Sequence, residues 1–336
     1  MANRWAQKFQ FGVEAVNGTA VAADTMLLAD PKALKPDRAP VQIPAALGVR
    51  GMSSDEVIYQ YLVQDTLRFT TGYFQALPLL FSCGLRGGIT PVEQTVSQAD
   101  WLWAFLPSLT GSNALNSFTL EEGDDTQAYE TEYCMFERLR ISGQIAQTQG
   151  GESPVAIEVD YFGRQHTATT FTPALTAPSA EYMTAKTARL YLDTAWAGIG
   201  VTEKTGVLRG FDIEILTGAH PKMLGDANKY FNTHGQGFIS AMMALTLERG
   251  ATSDALWDAM RAKTFQAARL LLTGSQIGTG DNHSLSIDVG GIFTEAVPMA
   301  QEDRGNNIDT FVLASKYDAT GAKILDVNVT TDVAAI

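Results

Sequence analysis

The densest run of side chains able to do chemistry is "EEGDD", residues 121–125, with carboxylates at Glu121, Glu122, Asp124 and Asp125. Paired carboxylates can act as acid and base on a glycosidic bond, and acidic loops can hold calcium. This run lacks the alternating ligand spacing of a calcium loop. It stands before "DDTQAYETEYC", which reads as a helix, so Asp124 or Asp125 is expected to cap that helix. Trp101 and Trp103 in "DWLWAFLP" have the types of a carbohydrate platform, or of a core or subunit contact. His166, His220, His234 and His283 form no HxxxH, HxH or HExxH spacing. They are read as surface or hydrogen-bonded histidines rather than metal ligands. "GTGDNHS" (278–284) lacks the third glycine of a dinucleotide loop and joins two strand-like runs. Ser275 in "TGSQIG" is not in a GxSxG elbow. Cys83 and Cys134 sit among apolar neighbours and read as buried thiols. No catalytic, cofactor-binding or metal-ligating residue is assigned, and no cofactor is expected.

The elements that would carry these residues belong to a 336-residue chain, long enough for two ordinary domains. Hydrophobic residues make up 45% and charged residues 18%, which is globular and not disordered. The net charge of −13 argues against tight nucleic-acid binding, because no counterions would be released from a phosphate backbone. "MANRWAQKFQFG" shows no secretory apolar stretch, and no run approaches a membrane span, so a protein made in the cytoplasm is expected.

Strand signals dominate. "VIYQYLVQDTLRFT", "SPVAIEVDYFGR", "TARLYLDTAW", "GVLRGFDIEIL" and four further runs towards the C-terminus read as strands. "GYFQALPLLFSCGL" reads as a short helix with Pro78 in its first turn, and "SDALWDAMRAKT" (253–264) as a second helix capped by Ser253 or Asp254. Pro31, Pro36, Pro40 and Pro44 exclude a helix or a central strand from 31–52, which reads as a long arm. The phrase "LRISGQIAQ" returns as "LLLTGSQIG", "FTLEEG" as "LTLERG", and "VAIEVDYFG" as "LSIDVGGIF". A strand, helix, strand, turn, strand unit written twice implies a duplicated β-rich domain. The expected division is 1–175 and 184–336, joined by a linker at 172–183.

Four stretches together resemble the tail tube (major tail) proteins of long-tailed bacteriophages. They are "GVEAVNGTAVAADTMLL", "GVLRGFDIEILTGAHPKMLGDANKYF", "FISAMMALTLERG" with "SDALWDAMRA", and "LLLTGSQIGTGDNHSLSIDVGGIFTE". The resemblance implies a mainly β fold with a few short helices, a tube-like β-sandwich or barrel. It implies a non-enzymatic virion protein that forms rings, stacks them on a tape-measure protein, meets tail tip and terminator proteins, and passes DNA without specific binding. Duplication then implies a trimer of pseudo-sixfold shape rather than a hexamer. Pro36, Pro40, Pro44 and Met52 become candidate ring contacts. Glu158, Asp160, Glu214 and Asp288 become candidate lumen-lining residues that would repel phosphate. The alternatives are a type VI secretion-like tube subunit, or a carbohydrate-binding β-sandwich or glycosidase using the Trp pair and the acids.

Overall fold

Alternation decides the strands. Val155, Ile157 and Val159 are buried, while Ala156, Glu158 and Asp160 between them are half-buried, as a period of two requires. The computed structural model describes residues 4–45, 48, 50, 53–147 and 151–336. Strands hold 48% of the chain and helices 9%, so the expected mainly β class is the one adopted.

The N-terminal part contains β1 (Lys8–Val13), β2 (Thr25–Leu27), β3 (Val41–Pro44), β4 (Ser53–Val57) and β5 (Val63–Phe69). Helix α1 (Leu77–Ser82) follows, then β6 (Val92–Glu93), β7 (Trp101–Phe105) and β8 (Phe118–Gly123). Next come β9 (Ala128–Gln144), β10 (Val155–Gly163) and β11 (His166–Thr169). Beyond the irregular 172–183 stretch lie β12 (Arg189–Asp193), β13 (Leu208–Leu216), β14 (Ala219–Lys222), β15 (Thr233–Gln236) and β16 (Ser240–Glu248). The chain ends with α2 (Ala251–Ala262), β17 (Gln266–Gln276), β18 (Asn282–Asp303), β19 (Asn306–Ser315) and β20 (Leu325–Thr331).

Two long strands turn this ladder into layers. The first half of β18 pairs with β17 and β20, and its second half pairs with β19. It therefore carries the chain from the β12-β17-β18-β20-β7-β6 layer into the β5-β10-β9-β13-β16-β19 layer. Partners change at Gly290 and Gly291, and an irregular register between Phe293 and Glu295 follows the crossing. β9 does the same at its start: residues 128–134 pair with β8 and β11, and the rest with β10 and β13. Tyr133, at φ 56°, sits at that transition. Both layers bury one face in a single apolar cluster that includes Leu67, Ile141, Ile213 and Leu313 from one and Leu190, Leu270, Ile287 and Val329 from the other. α1 is apolar on every side apart from Ser82; all six of its residues are buried, Leu77, Leu79, Leu80 and Phe81 within that cluster, and Pro78 stands in the first turn.

Several expectations change here. Residues 124–134 are not a helix. Residues 128–134 begin β9, and Asp124 accepts from the N–H groups of Thr126 and Gln127 in a hairpin turn (2.8 and 3.2 Å). Thr and Tyr suit a pleated half-buried surface, and an aspartate caps a turn as readily as a helix. The α2 helix starts two residues before the expected 253–264 span. Gly250 is its N-cap, and the Ser253 hydroxyl accepts from the Gly250 N–H at 2.9 Å. The repeated stretches share a pairing pattern in one hairpin. Arg140 faces Glu158 in β9-β10 as Arg269 faces Asp288 in β17-β18. The flanking strands correspond as well, β13 and β5 around the first hairpin, β12 and β20 around the second. It does not extend upstream, since β8 pairs with β9, whereas β16 leads into α2 and pairs with β13 and β19. The expected boundary at 172–183 divides the chain but not the core. β9 pairs with β13 across it, and β20 with β7.

Candidate assembly surfaces

The arm has two parts of different character. Residues 30–38 lie along β5, where the Asp30 N–H donates to the Arg68 carbonyl at 2.7 Å and the Leu62 N–H to that of Asp37 at 2.8 Å. The Asp37 carboxylate, 9% exposed, accepts from Arg38 and from the His166 N–H, and Arg38 stacks on Tyr61 at 4.2 Å. Burial acts to raise the Asp37 carboxyl, but these hydrogen bonds win and hold it below the usual carboxylate range. Beyond this root, β3 and β4 form a two-stranded ribbon that pairs with no other strand among the described residues. Val41 and Ile43 share one face of it and are 48% and 37% exposed. Pro36, Pro40 and Pro44 are all exposed. Met52 lies outside the described residues.

The second surface is the outer face of the β5-β10-β9-β13 strands. Arg138 reaches Asp160 at 2.6 Å and Glu214 at 3.1 Å. Arg140 reaches Asp212 at 2.9 Å and Glu158 at 3.5 Å, and Arg68 lies 3.7 Å from Glu158. Glu158, Asp160 and Glu214 are thus brought together on one face, each against an arginine. Burial acts to raise the Asp160 carboxyl, but Arg138 and Thr66 outweigh it and hold it low. The sequence reading missed the arginines, although "FERLRIS" places Arg138 and Arg140 two apart on one face of a strand. Asp288 does not belong to this surface. It is 1% exposed and clasped by Arg269 at 2.6 and 2.7 Å, so it offers nothing to a lumen in the single chain. Burial still raises its carboxyl above the ordinary value.

Along the same face the chemistry changes. Past β13 come Met242, Val312 and Val297, of which Met242 and Val297 are 47% and 42% exposed. Residues 294–303 of β18 pair with β19 alone and form the margin of this layer. Pro298 and a left-handed Met299 interrupt the margin, the devices that keep a sheet edge from pairing indiscriminately. A groove of about 1300 Å³ opens elsewhere, between the β14-β15 ribbon and the 108–113 loop, with Phe238 fully exposed at its lip.

The remaining candidates are structural. Trp103 is buried, stacks on Phe105 at 6.1 Å and donates to the Val333 carbonyl at 2.8 Å, so the tryptophan pair is no platform. Glu121 is buried and accepts from the N–H and hydroxyl of Thr172 at 2.7 and 2.6 Å. Glu122 is buried against Lys32 and Tyr161. Neither acid faces solvent. Each histidine has a hydrogen-bond partner, and His283 is buried rather than superficial. Cys83 and Cys134 are free and buried, and burial pushes both thiols well up. No group of metal-ligating side chains occurs among the described residues, nor any helix long and apolar enough to cross a membrane. No family model and no curated protein matches the chain.

Proposed function

We propose that this chain is a structural subunit of a phage tail tube, a β-rich block that closes into rings with its own copies and stacks along an axial conduit. The ribbon β3-β4 carries the reading. A lone two-stranded hairpin is marginal in water, and this one holds Val41 and Ile43 in solvent. Burying such side chains against a second copy supplies about 25 cal/mol per Å² of apolar area, at the moment of assembly rather than before it. The apolar strip of Met242, Val312 and Val297 beside the β18 margin suits lateral contact between neighbours. The ion pairs on the β5-β10-β9-β13 face are half-buried at the surface, where such pairs contribute about 0–1 kcal/mol each. The carboxylates compensate the arginines, and a passing polyanion meets no strong cationic site there. A trimer, a tape measure inside and tip and terminator proteins at the ends complete the proposal, with the virion as its place.

The test is electron microscopy and native mass of the purified chain, beside a variant in which 42–56 is replaced by a short Gly-Ser link. The root at 30–38 stays, because it packs on the body. Rings or tubes are expected from the parent. The variant should keep its β-sheet circular dichroism and lose stacking. A parent that remains a monomer at all concentrations, or a variant that stacks as well as the parent, sinks the reading.

A further inference from the structure

Lys32, at the root of the arm, sits in an arrangement that does more than a salt bridge requires. Its ammonium Nζ lies 2.5 Å from Asp65 Oδ2 and 2.9 Å from Glu122 Oε2. The side chains of Lys32, Asp65 and Glu122 are 15%, 5% and 3% exposed. Tyr161 closes the group. Its hydroxyl is 3.0 Å from Nζ and donates to Glu122 Oε1 at 3.1 Å, and the Lys32 ammonium lies 5.0 Å from its ring and 5.9 Å from that of Phe9. Asp65 points inward from β5 alongside Val63 and Leu67. Lys35 Nζ approaches its other oxygen, Oδ1, at 3.1 Å from the solvent side. An amine, a carboxyl group and a second carboxylate touching the amine are held together in a nearly dry pocket lined by aromatic rings.

We propose that Lys32 and Asp65 condense into an intramolecular isopeptide bond, with Glu122 as the proton carrier. Within the hydrogen bond, one proton passes from Nζ to Asp65, giving a neutral amine and a neutral acid. The Nζ lone pair attacks Cγ of Asp65. Nζ already touches the Asp65 carboxyl group through Oδ2 at 2.5 Å, and such enforced proximity makes the step intramolecular. The Lys35 ammonium faces the oxygen on which negative charge gathers in the tetrahedral intermediate. Glu122 takes a second proton from Nζ and delivers it to the departing oxygen. The Cγ–O bond breaks, water leaves, and an amide N–H remains. Ammonium plus carboxylate becomes amide plus water, so no oxidant or activating nucleotide is needed. The bond ties residue 32 to residue 65 and closes a loop that contains the whole β3-β4 ribbon, fixing its root to β5 covalently. It is internal to one chain and does not depend on the tube reading.

The experiment is peptide mass analysis of the full-length folded protein after tryptic digestion. A bonded Lys32 is no longer a trypsin site. The expected product is one branched peptide joining the segment that ends at Arg38 to the segment that ends at Arg68, lighter than the two together by one water. Lys32→Arg and Asp65→Ala are expected to give the two segments unlinked. Glu122→Gln, checked for native circular dichroism, is expected to give them unlinked as well. Recovery of unlinked segments from the unsubstituted protein, with cleavage after Lys32, overturns the bond and leaves an ion pair. A branched peptide formed by Glu122→Gln as completely as by the parent overturns the role of Glu122. If that variant does not fold, the parent and Lys32→Arg decide the bond by themselves.

Discussion

Charged side chains in this protein follow their burial. Asp288 and Arg269 form a pair whose acid is buried, so removing one partner would strand a charge at a cost of about 3–5 kcal/mol. His283 is the titrating member of a second buried contact. Its Nδ1 meets the Ser275 carbonyl at 3.0 Å, and its Nε2 lies 3.5 Å from Asp332, on the C-terminal segment. Burial opposes protonation of His283, but Asp332 and the Ser275 carbonyl win and raise its value above the ordinary one. Bonding to His283, the leading cause, holds Asp332 low against its burial. A group raised on folding stabilises fully below its unfolded value, about 6.5, and loses that contribution as pH rises through the folded one. A depressed carboxyl behaves in the opposite sense, its contribution being lost as pH falls through the folded value of Asp332. The contact therefore contributes fully between the two unfolded values, about 3.9 for an aspartate and about 6.5 for a histidine, and fades towards the folded value on either side. Urea denaturation of the parent and His283→Gln at about pH 5.5 and about pH 8.5 should show a stability difference that shrinks at the higher pH. A difference that grows with pH would exclude this pairing.

Elements bend where a glycine lets them. β18 passes from one layer to the other at Gly290 and Gly291, and a Cβ at Gly291 would run into the backbone carbonyl of Ala314 on β19. Backbone cannot swing aside as a flexible side chain can, so the strain falls on the crossing itself. Gly291→Val is expected to lower stability by about 1–3 kcal/mol, seen as a reduced denaturation midpoint. A midpoint unchanged from the parent would place the crossing elsewhere. The ribbon β3-β4 is the opposite case, an element whose own contacts do not explain its form. Its prolines signalled that no central strand runs there, but not that the arm would divide into a packed root and an exposed hairpin. That division rests on partners distant in sequence, Asp65, Glu122 and His166, which proline spacing does not encode.

At the scale of the whole molecule, one core joins the two halves. Thermal unfolding is expected as a single calorimetric transition with matching van't Hoff enthalpy, and fragments 1–175 and 184–336 should each fail to fold alone. Two separable transitions, or a soluble folded fragment, would refute the shared core. The β class was legible because alternation is local. Val155, Ile157 and Val159 announce a buried strand face without reference to any neighbour. The recurring phrases "LRISGQIAQ" and "LLLTGSQIG" were visible in the sequence, but the Arg-acid pairs in the hairpins that hold them, Arg140 with Glu158 and Arg269 with Asp288, appear only with the strand register. The local pattern failed at 124–134, where helix and strand readings of a short polar run compete and the pairing with β8 and β11 settled the matter. Sequence by itself determined which residues alternate, which segment cannot be a central strand, and that acids outnumber bases. Only the tertiary structure decided which acid meets which base, placing Glu158, Asp160 and Glu214 on one face and Asp288 inside. The physical reason is range: periodicity and turn chemistry act over a few residues, whereas burial and ion pairing depend on strands that meet across most of the chain.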